Sequence, residues 1–186
     1  MDSKPLLLLD VDGVLFPFCG VHLPDGCDWV VFDDVVTPDG RTFEHLRCCF
    51  DPGQVERLRV LAEAFELVWA TTWEQVANDR LSELFSLPEL PVIAFYDAPP
   101  GRITYHLSDI LSGIATTKLG PVDMWVGERP LAWVDDQLHF DARAWAERRS
   151  ADGAPTLLVR TDPRRGLTNA QTDELLAFAA SLSPSQ

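Results

Sequence analysis

Short apolar runs along the chain predict buried β-strands. The first is Leu6–Leu9, four leucines in succession, which is typical of a short strand buried on both faces of a sheet. Comparable runs at Phe65–Ala70, Pro91–Phe95, Pro130–Val134 and Thr156–Val159 predict four more strands. Turn residues or polar segments separate each run from the next.

Helical patterns lie between these strands. Asp51 and Pro52 suit the N-cap and the first position of a helix, and apolar residues then recur at helical spacing as far as Phe65. Further helices are predicted over residues 74–85, 116–127, 139–150 and 168–182. Because strands and helices alternate, we predict an α/β fold with a doubly wound, Rossmann-like parallel sheet. We expect a single domain over residues 1–186.

Residues 16–50 interrupt this alternation. Trp29–Phe32 and Thr42–Phe50 favour β-structure, and Pro38-Asp39-Gly40 between them has the residue types of a tight turn. The segment predicts a β-hairpin inserted after the first strand. Its place in the chain predicts a flap over the carboxyl end of that strand, and the alternative is a plain surface hairpin.

The charge of the chain bears on its partners. The sequence has 15 Lys and Arg against 29 Asp and Glu, a formal charge of −14. Such a surface repels nucleic-acid phosphates and favours a small substrate, unless a metal ion or a basic patch compensates. No apolar run approaches the roughly 18 residues of a membrane span. We therefore expect a cytoplasmic protein without a membrane partner, and the sequence does not indicate its oligomeric state.

All four cysteines lie between residues 19 and 49. They are interpreted as reduced structural thiols in a reducing compartment. The alternative is a zinc site in the same region, although the spacing matches no standard zinc motif. The candidate zinc ligands are Cys19, His22, Cys27, His45 and Cys48.

Polar residues follow three of the predicted strands, and a lysine precedes the fourth strand. Because the carboxyl ends of parallel strands meet at one edge of a sheet, we expect these side chains to converge. Together they offer a carboxylate nucleophile, a second acid, a hydroxyl, an ammonium and further carboxylates for Mg²⁺, which suits phosphoryl transfer. The set is Asp10, Asp12, Thr71, Thr72, Lys118, Asp135 and Asp136.

With these residues in place, the sequence resembles the haloacid dehalogenase (HAD) superfamily of phosphohydrolases. The first family motif, hhhhDxDGxh, is matched by Leu6–Leu15, and the second, a strand ending in Ser or Thr, by Leu67–Thr71. Lys118 occupies the place of the third motif, and Val134-Asp135-Asp136 matches the fourth. The aspartate at position 12 and the small hairpin resemble the minimally capped phosphatases of the family. Some of those act on nucleic-acid ends, and similar small domains occur in predicted RNA-repair systems.

The resemblance implies a role for each matched residue. Asp10 would attack the substrate phosphorus and form an aspartyl-phosphate, and Asp12 would protonate the leaving group and later activate water. Thr71 would bind the transferred phosphoryl group and Lys118 would neutralise it. Gly13 would allow the sharp turn of the backbone after the nucleophile. Mg²⁺ would be held by Asp10, the Asp12 carbonyl, and Asp135 or Asp136.

Several of these residues have a second possible role. Thr72 could bind phosphate in place of Thr71, and Lys118 could be an ordinary surface lysine with Arg102 or Arg129 as the site cation. Trp73 could stack on a substrate base or simply pack in the core. The loop residues Arg164 and Arg165 could bind a second phosphate or carboxylate, or lie in solvent.

The sequence therefore predicts a Mg²⁺-dependent phosphatase, with a small phosphate ester as its substrate. One alternative is a nucleic-acid end phosphatase, and another is a non-catalytic binding protein that keeps the fold. We expect residues 16–50 and 96–116 to determine specificity, because the shared motifs contact only the phosphoryl group.

Overall fold

Strands and helices alternate around a parallel sheet in the computed structural model, which describes residues 4–96 and 115–182. Among the residues described, no helix is long and apolar enough to cross a membrane. The strands are β1 (Leu6–Leu9), β2 (Asp28–Val36), β3 (Thr42–Phe50), β4 (Glu66–Trp69), β5 (Leu131–Asp135) and β6 (Thr156–Arg160). The helices are α1 (Gly53–Ala64), α2 (Gln75–Phe85), α3 (Ala115–Val126), α4 (Phe140–Ala151) and α5 (Asn169–Ser181).

The parallel sheet has the strand order β4-β1-β5-β6, with β1 in its interior. The pairing begins at Leu6, which lies opposite Glu66 of β4 and Leu131 of β5. Leu7 and Leu9 pack on one face with α1, α2 and α5, whereas Leu6 and Leu8 pack on the other face with α3 and α4. Helices on both faces confirm the predicted doubly wound fold and explain why β1 is apolar at every position.

The predicted strand over Pro91–Phe95 is wrong in its extent. This segment contributes a single parallel bridge, in which Pro91 O accepts from Trp69 N and Ile93 N donates to Trp69 O, both at 2.9 Å. The next backbone N–H groups turn away from the sheet, because those of Phe95 and Tyr96 donate to the carboxylate of Glu74. The other four predicted core strands are confirmed within one or two residues.

The start of α1 also differs from the prediction by one residue. Pro52 is the N-cap and the helix begins at Gly53, so Asp51 lies outside it. The Asp51 side chain still caps the first turn, because its Oδ1 accepts from Gly53 N at 2.8 Å. The prediction had the correct capping residue and placed the boundary one position too early.

The predicted hairpin is confirmed and is longer than expected in its first strand. Strands β2 and β3 pair antiparallel from Asp28 opposite Phe50 to Val36 opposite Thr42. In the turn, Gly40 has a φ of +82° and donates its N–H to Thr37 O, which fits the preference for glycine at positive φ. The hairpin packs on the body through ring contacts, among them Phe50 against Phe85 of α2.

A disulfide between Cys19 and Cys49 ties the segment after β1 to the end of β3. The prediction of four reduced thiols is therefore wrong for this pair, while Cys27 and Cys48 are free thiols. The bond also removes Cys19 from the candidate zinc ligands. Burial raises the pKa of the Cys48 thiol to about 12, so this residue behaves as a neutral core side chain.

Candidate active site

Strand β1 carries Asp10 to the carboxyl edge of the sheet. The backbone stays in register one residue beyond the strand, because Asp10 N donates to Val134 O at 3.1 Å. The side chain is buried, and its Oδ1 accepts from Val11 N at 2.9 Å. Its other oxygen, Oδ2, lies 2.7 Å from the ammonium of Lys118 on α3.

Lys118 joins two carboxylates at this edge. Its Nζ is 2.7 Å from Asp10 Oδ2 and 2.8 Å from Asp135 Oδ2, and its side chain is 5% exposed. Burial lowers the pKa of Lys118, but the two carboxylates outweigh burial and hold the pKa above its ordinary value. The ammonium is therefore charged, and it faces the site and not the solvent.

Three carboxylates meet beside this lysine. Asp10, Asp135 and Asp136 are all buried, and each offers an oxygen within 4.8 Å of the others. Burial raises the pKa of Asp10 to about 7, with Lys118 opposing it. Burial and the neighbouring Asp135 also raise the pKa of Asp136. A compact set of hard oxygen donors, with more negative than positive charge, is a set that could hold a divalent cation.

The turn after Asp10 brings the second acid of the motif to the same edge. Gly13 has a φ of +72°, and a Cβ there would lie 2.8 Å from Asp136 Cγ and 3.0 Å from Pro163 Cβ. Only glycine allows both this backbone conformation and this close approach. The Thr161 hydroxyl holds the turn from the opposite side by donating to Gly13 O at 2.8 Å.

Asp12 is not a member of the carboxylate cluster and contacts Trp73 instead. The indole Nε1–H of Trp73 donates to Asp12 Oδ2 at 2.9 Å. Burial raises the pKa of Asp12, and the Trp73 hydrogen bond, Lys118 and Arg41 oppose that rise. Since Arg41 belongs to the turn of the hairpin, the hairpin lies within electrostatic reach of this acid.

The chain also matches a known family over nearly the whole of this structure. Residues 6–172 match the family described as the HAD domain in Swiss Army Knife RNA repair proteins. The chain belongs to this HAD family. The match starts at β1 and extends into α5, so it includes the sheet, the hairpin and the residues of the site. A search of curated proteins finds no match.

The two threonines of this HAD domain differ in their surroundings. Thr71 follows β4 directly, is fully buried, and accepts a hydrogen bond from Trp73 N at 3.3 Å through its Oγ1. Thr72 is half-buried, and no hydrogen bond among the described residues joins its side chain to the carboxylates. Thr71 thus lies beside the Asp12–Trp73 pair, and the choice between the two threonines as the phosphate-binding residue stays a prediction.

Trp73 has a different environment from the one that a base-stacking role requires. Its side chain is 3% exposed, and its ring packs against Phe16 and Phe32. The tryptophan therefore contacts the site through its N–H group and offers no open face to a substrate base. No local pattern in the sequence indicates this contact, because Asp12 and Trp73 are 61 residues apart.

The end of β6 and the loop that follows it contribute supporting residues that the motifs do not include. Arg160 Nε donates to the backbone oxygen of Asp136 at 3.0 Å, and Thr161 holds Gly13. Both lie at the end of a strand, the signal that identified the other site residues. Arg164 and Arg165 are exposed in the same loop, and their predicted role as a second anion site stays a prediction.

Proposed function

We propose that the chain is a Mg²⁺-dependent phosphatase that hydrolyses phosphate monoesters through an aspartyl-phosphate on Asp10. The observation that carries this proposal is the buried Asp10 carboxylate, held 2.7 Å from Lys118 and grouped with Asp135 and Asp136 at the carboxyl edge of the sheet. A purely structural acid would not need a lysine and two more acids around it, because burying like charges together is costly.

The side chains divide the reaction into two steps. In the first, an Asp10 oxygen bonds to phosphorus as the ester P–O bond breaks, and the leaving oxygen takes the proton of Asp12. In the second, Asp12 accepts a proton from water, whose oxygen attacks the phosphorus and releases Asp10 and phosphate. Burial of Asp12 raises its pKa, which favours the protonated form that the first step needs. The Lys118 ammonium attracts the phosphoryl oxygens throughout.

The donor set fits magnesium. Mg²⁺ prefers oxygen ligands, and the carboxylates of Asp10, Asp135 and Asp136 lie close enough together to share one ion. When bound, the ion supplies positive charge that polarises the phosphoryl group. The backbone carbonyl of Asp12 is the fourth candidate ligand in this proposal.

The family description supports a substrate class. It names RNA repair proteins, and the described part of the insertion after β1 is a two-stranded hairpin and not a large cap domain, which suits access of a polymer end. We therefore propose the terminal phosphate of an RNA strand as the substrate. The formal charge of −14 favours a second candidate, a small phosphate ester. The segment 96–116, which the sequence predicts to determine specificity, lies largely outside the described residues.

The test measures phosphate release with Mg²⁺ or EDTA from p-nitrophenyl phosphate, a nucleoside monophosphate, and RNA oligonucleotides phosphorylated at the 5′ or 3′ end. We expect Mg²⁺-dependent turnover that Asp10→Asn abolishes. Asp123→Asn is the matched control, because Asp123 is not among the site residues and accepts from the indole N–H of Trp145. Faster release from oligonucleotides than from the mononucleotide supports the RNA-end substrate, and the reverse supports the small ester.

Two results would contradict the phosphatase proposal. Full activity in Asp10→Asn would show that another group is the nucleophile. Mg²⁺ binding by calorimetry without turnover of any of these esters would instead support a binding protein that keeps the fold.

A further inference from the structure

Three aromatic rings from three parts of the chain meet beside the acid Asp12. Phe16 follows the motif turn, Phe32 belongs to β2 of the hairpin, and Trp73 follows β4. The ring centroids are 5.9 Å apart for Phe16 and Phe32, 6.1 Å for Phe32 and Trp73, and 6.3 Å for Phe16 and Trp73. We call these residues the ring triad. Its separations are those of favourable aromatic pairs.

Trp73 is fixed from two sides. Its backbone N–H donates to Thr71 Oγ1, and its ring is held within the ring triad. The remaining polar group, Nε1–H, donates to Asp12 Oδ2 at 2.9 Å. Among the described residues, no other side chain hydrogen-bonds to the Asp12 carboxyl group, so its orientation depends on Trp73.

An indole N–H is a donor only. Asp12 Oδ2 therefore accepts from Trp73, so a proton carried by Asp12 would reside on the other oxygen, Oδ1. Rotation of the carboxyl group about its side-chain bond would break the Trp73 hydrogen bond and move that proton. The contact thus determines which oxygen of Asp12 can deliver a proton to the leaving group.

We propose that Trp73 is a positioning residue that orients Asp12 for proton transfer, and that Phe32 of the hairpin keeps Trp73 in place. The inference rests on the proposed phosphatase function. It gives the hairpin a part in the chemical step, because displacement of β2 would remove Phe32 from the Trp73 ring. A flap that only covered the site would have no such contact with the acid.

The proposal predicts a dependence on the leaving group. p-Nitrophenolate leaves readily without a proton, whereas an alkoxide leaving group needs one from the acid. Substitutions that disturb Asp12 should therefore slow hydrolysis of an alkyl ester far more than that of an aryl ester. A general loss of folding or of phosphate binding would slow both esters alike.

The first experiment measures kcat/KM for p-nitrophenyl phosphate and glycerol phosphate, because this parameter reports cleavage of the ester bond, whereas hydrolysis of the aspartyl-phosphate is common to both esters. For Trp73→Phe, which keeps a ring but loses the donor, we expect kcat/KM to fall about tenfold to a hundredfold with glycerol phosphate and less than about threefold with the aryl ester. Phe32→Ala should lower kcat/KM for glycerol phosphate relative to kcat/KM for the aryl ester in the same way. Trp145→Phe and Phe43→Ala are matched controls, since Trp145 Nε1–H donates to Asp123 and Phe43 lies in the hairpin outside the ring triad.

The second experiment does not depend on turnover. In ¹H–¹⁵N spectra the six tryptophans give indole signals, and Trp73→Phe identifies the one that belongs to Trp73. Asp12→Ala should shift that signal and speed its exchange with solvent, while leaving the Trp145 signal in place. An unmoved Trp73 signal would overturn the proposed contact.

The kinetic results distinguish the positioning role of Trp73 from the proposed phosphatase function. An equal fall in kcat/KM for both esters, or no fall, in Trp73→Phe would overturn the positioning role while the phosphatase function stood. Absence of turnover in the wild type with these esters and with the phosphorylated oligonucleotides alike would refute the phosphatase function and the positioning role together, and a shifted indole signal would then identify a structural contact only.

Discussion

Replacing Lys118 with methionine should destabilise the protein, and Mg²⁺ should restore much of the lost stability. The Lys118 ammonium lies 2.7 Å from Asp10 and 2.8 Å from Asp135, and none of the three side chains is more than 7% exposed. Methionine keeps an unbranched apolar stem and removes the charge. Two buried carboxylates would then face each other without a protein cation between them.

The expected loss follows from the burial of this ion pair. Removing one partner of a buried pair costs about 3–5 kcal/mol. Part of that cost is recovered here, because burial raises the pKa of Asp10 to about 7 even beside Lys118, and the carboxyl group can take up a proton when the ammonium is lost. We therefore expect the free energy of unfolding of Lys118→Met in EDTA at neutral pH to fall by about 2–3 kcal/mol.

Magnesium should affect the variant more than the wild type. An ion that binds only the folded state stabilises it by RT ln(1 + [L]/Kd), which is about 2.7 kcal/mol at a hundred times Kd. Because the ammonium of Lys118 repels a cation at the neighbouring carboxylates, its removal should tighten Mg²⁺ binding and increase this gain. Without Lys118 to attract the phosphoryl oxygens, activity should still be lost.

Urea unfolding followed by circular dichroism, in EDTA and in Mg²⁺, measures both effects. Lys4→Met is the matched control, because its exposed ammonium only donates to the carbonyl of Ala62. Equal unfolding midpoints for Lys118→Met and the wild type in EDTA would refute the reasoning about the buried pair. An equal response to Mg²⁺ would refute the assignment of the metal to these carboxylates.

Two further predictions concern the turn and the disulfide. Gly13→Ala should lower the free energy of unfolding by about 2–4 kcal/mol, from left-handed strain plus overpacking against Asp136. Gly127→Ala, with a φ of +56° and open space around it, should cost only about 1–2 kcal/mol. Thermal unfolding measures the stability of both variants. An equal loss of stability in Gly13→Ala and Gly127→Ala would contradict the close approach of Gly13 to Asp136. Cys19→Ser should lower the free energy of unfolding by about 2–4 kcal/mol, because the bond spans 30 residues. Dithiothreitol should destabilise the wild type in urea by a similar amount and leave Cys19→Ser unchanged, and an unaffected wild type would contradict the disulfide.

The elements that the sequence predicts well are those whose signal is local. Leu6–Leu9 is apolar at every position because both faces of β1 are covered by helices, and the acids that follow mark the carboxyl edge. The hairpin is equally local, since the residue types of its turn set the backbone conformation at Gly40.

The features that the sequence does not predict depend on contacts between distant residues. The run Pro91–Phe95 has the composition of a strand, yet the Phe95 N–H donates to the Glu74 carboxylate and not to a neighbouring strand. The disulfide of Cys19 is not predicted, because its partner Cys49 is 30 residues away and no local pattern identifies the pair. The indole bond from Trp73 to Asp12 depends on the packing of two loops that only the fold brings together.

The charge of the chain and the proposed phosphate substrate are compatible because the site differs from the surface around it. Asp10, Asp135 and Asp136 balance against one divalent cation and the ammonium of Lys118, so a loaded site carries no excess of negative charge when Asp12 holds its proton. A terminal phosphate can then enter, whereas the phosphates further along a strand meet a surface with a formal charge of −14. We therefore expect contact with the end of a nucleic acid and little with its length, which reconciles the acidic composition with the family to which the chain belongs.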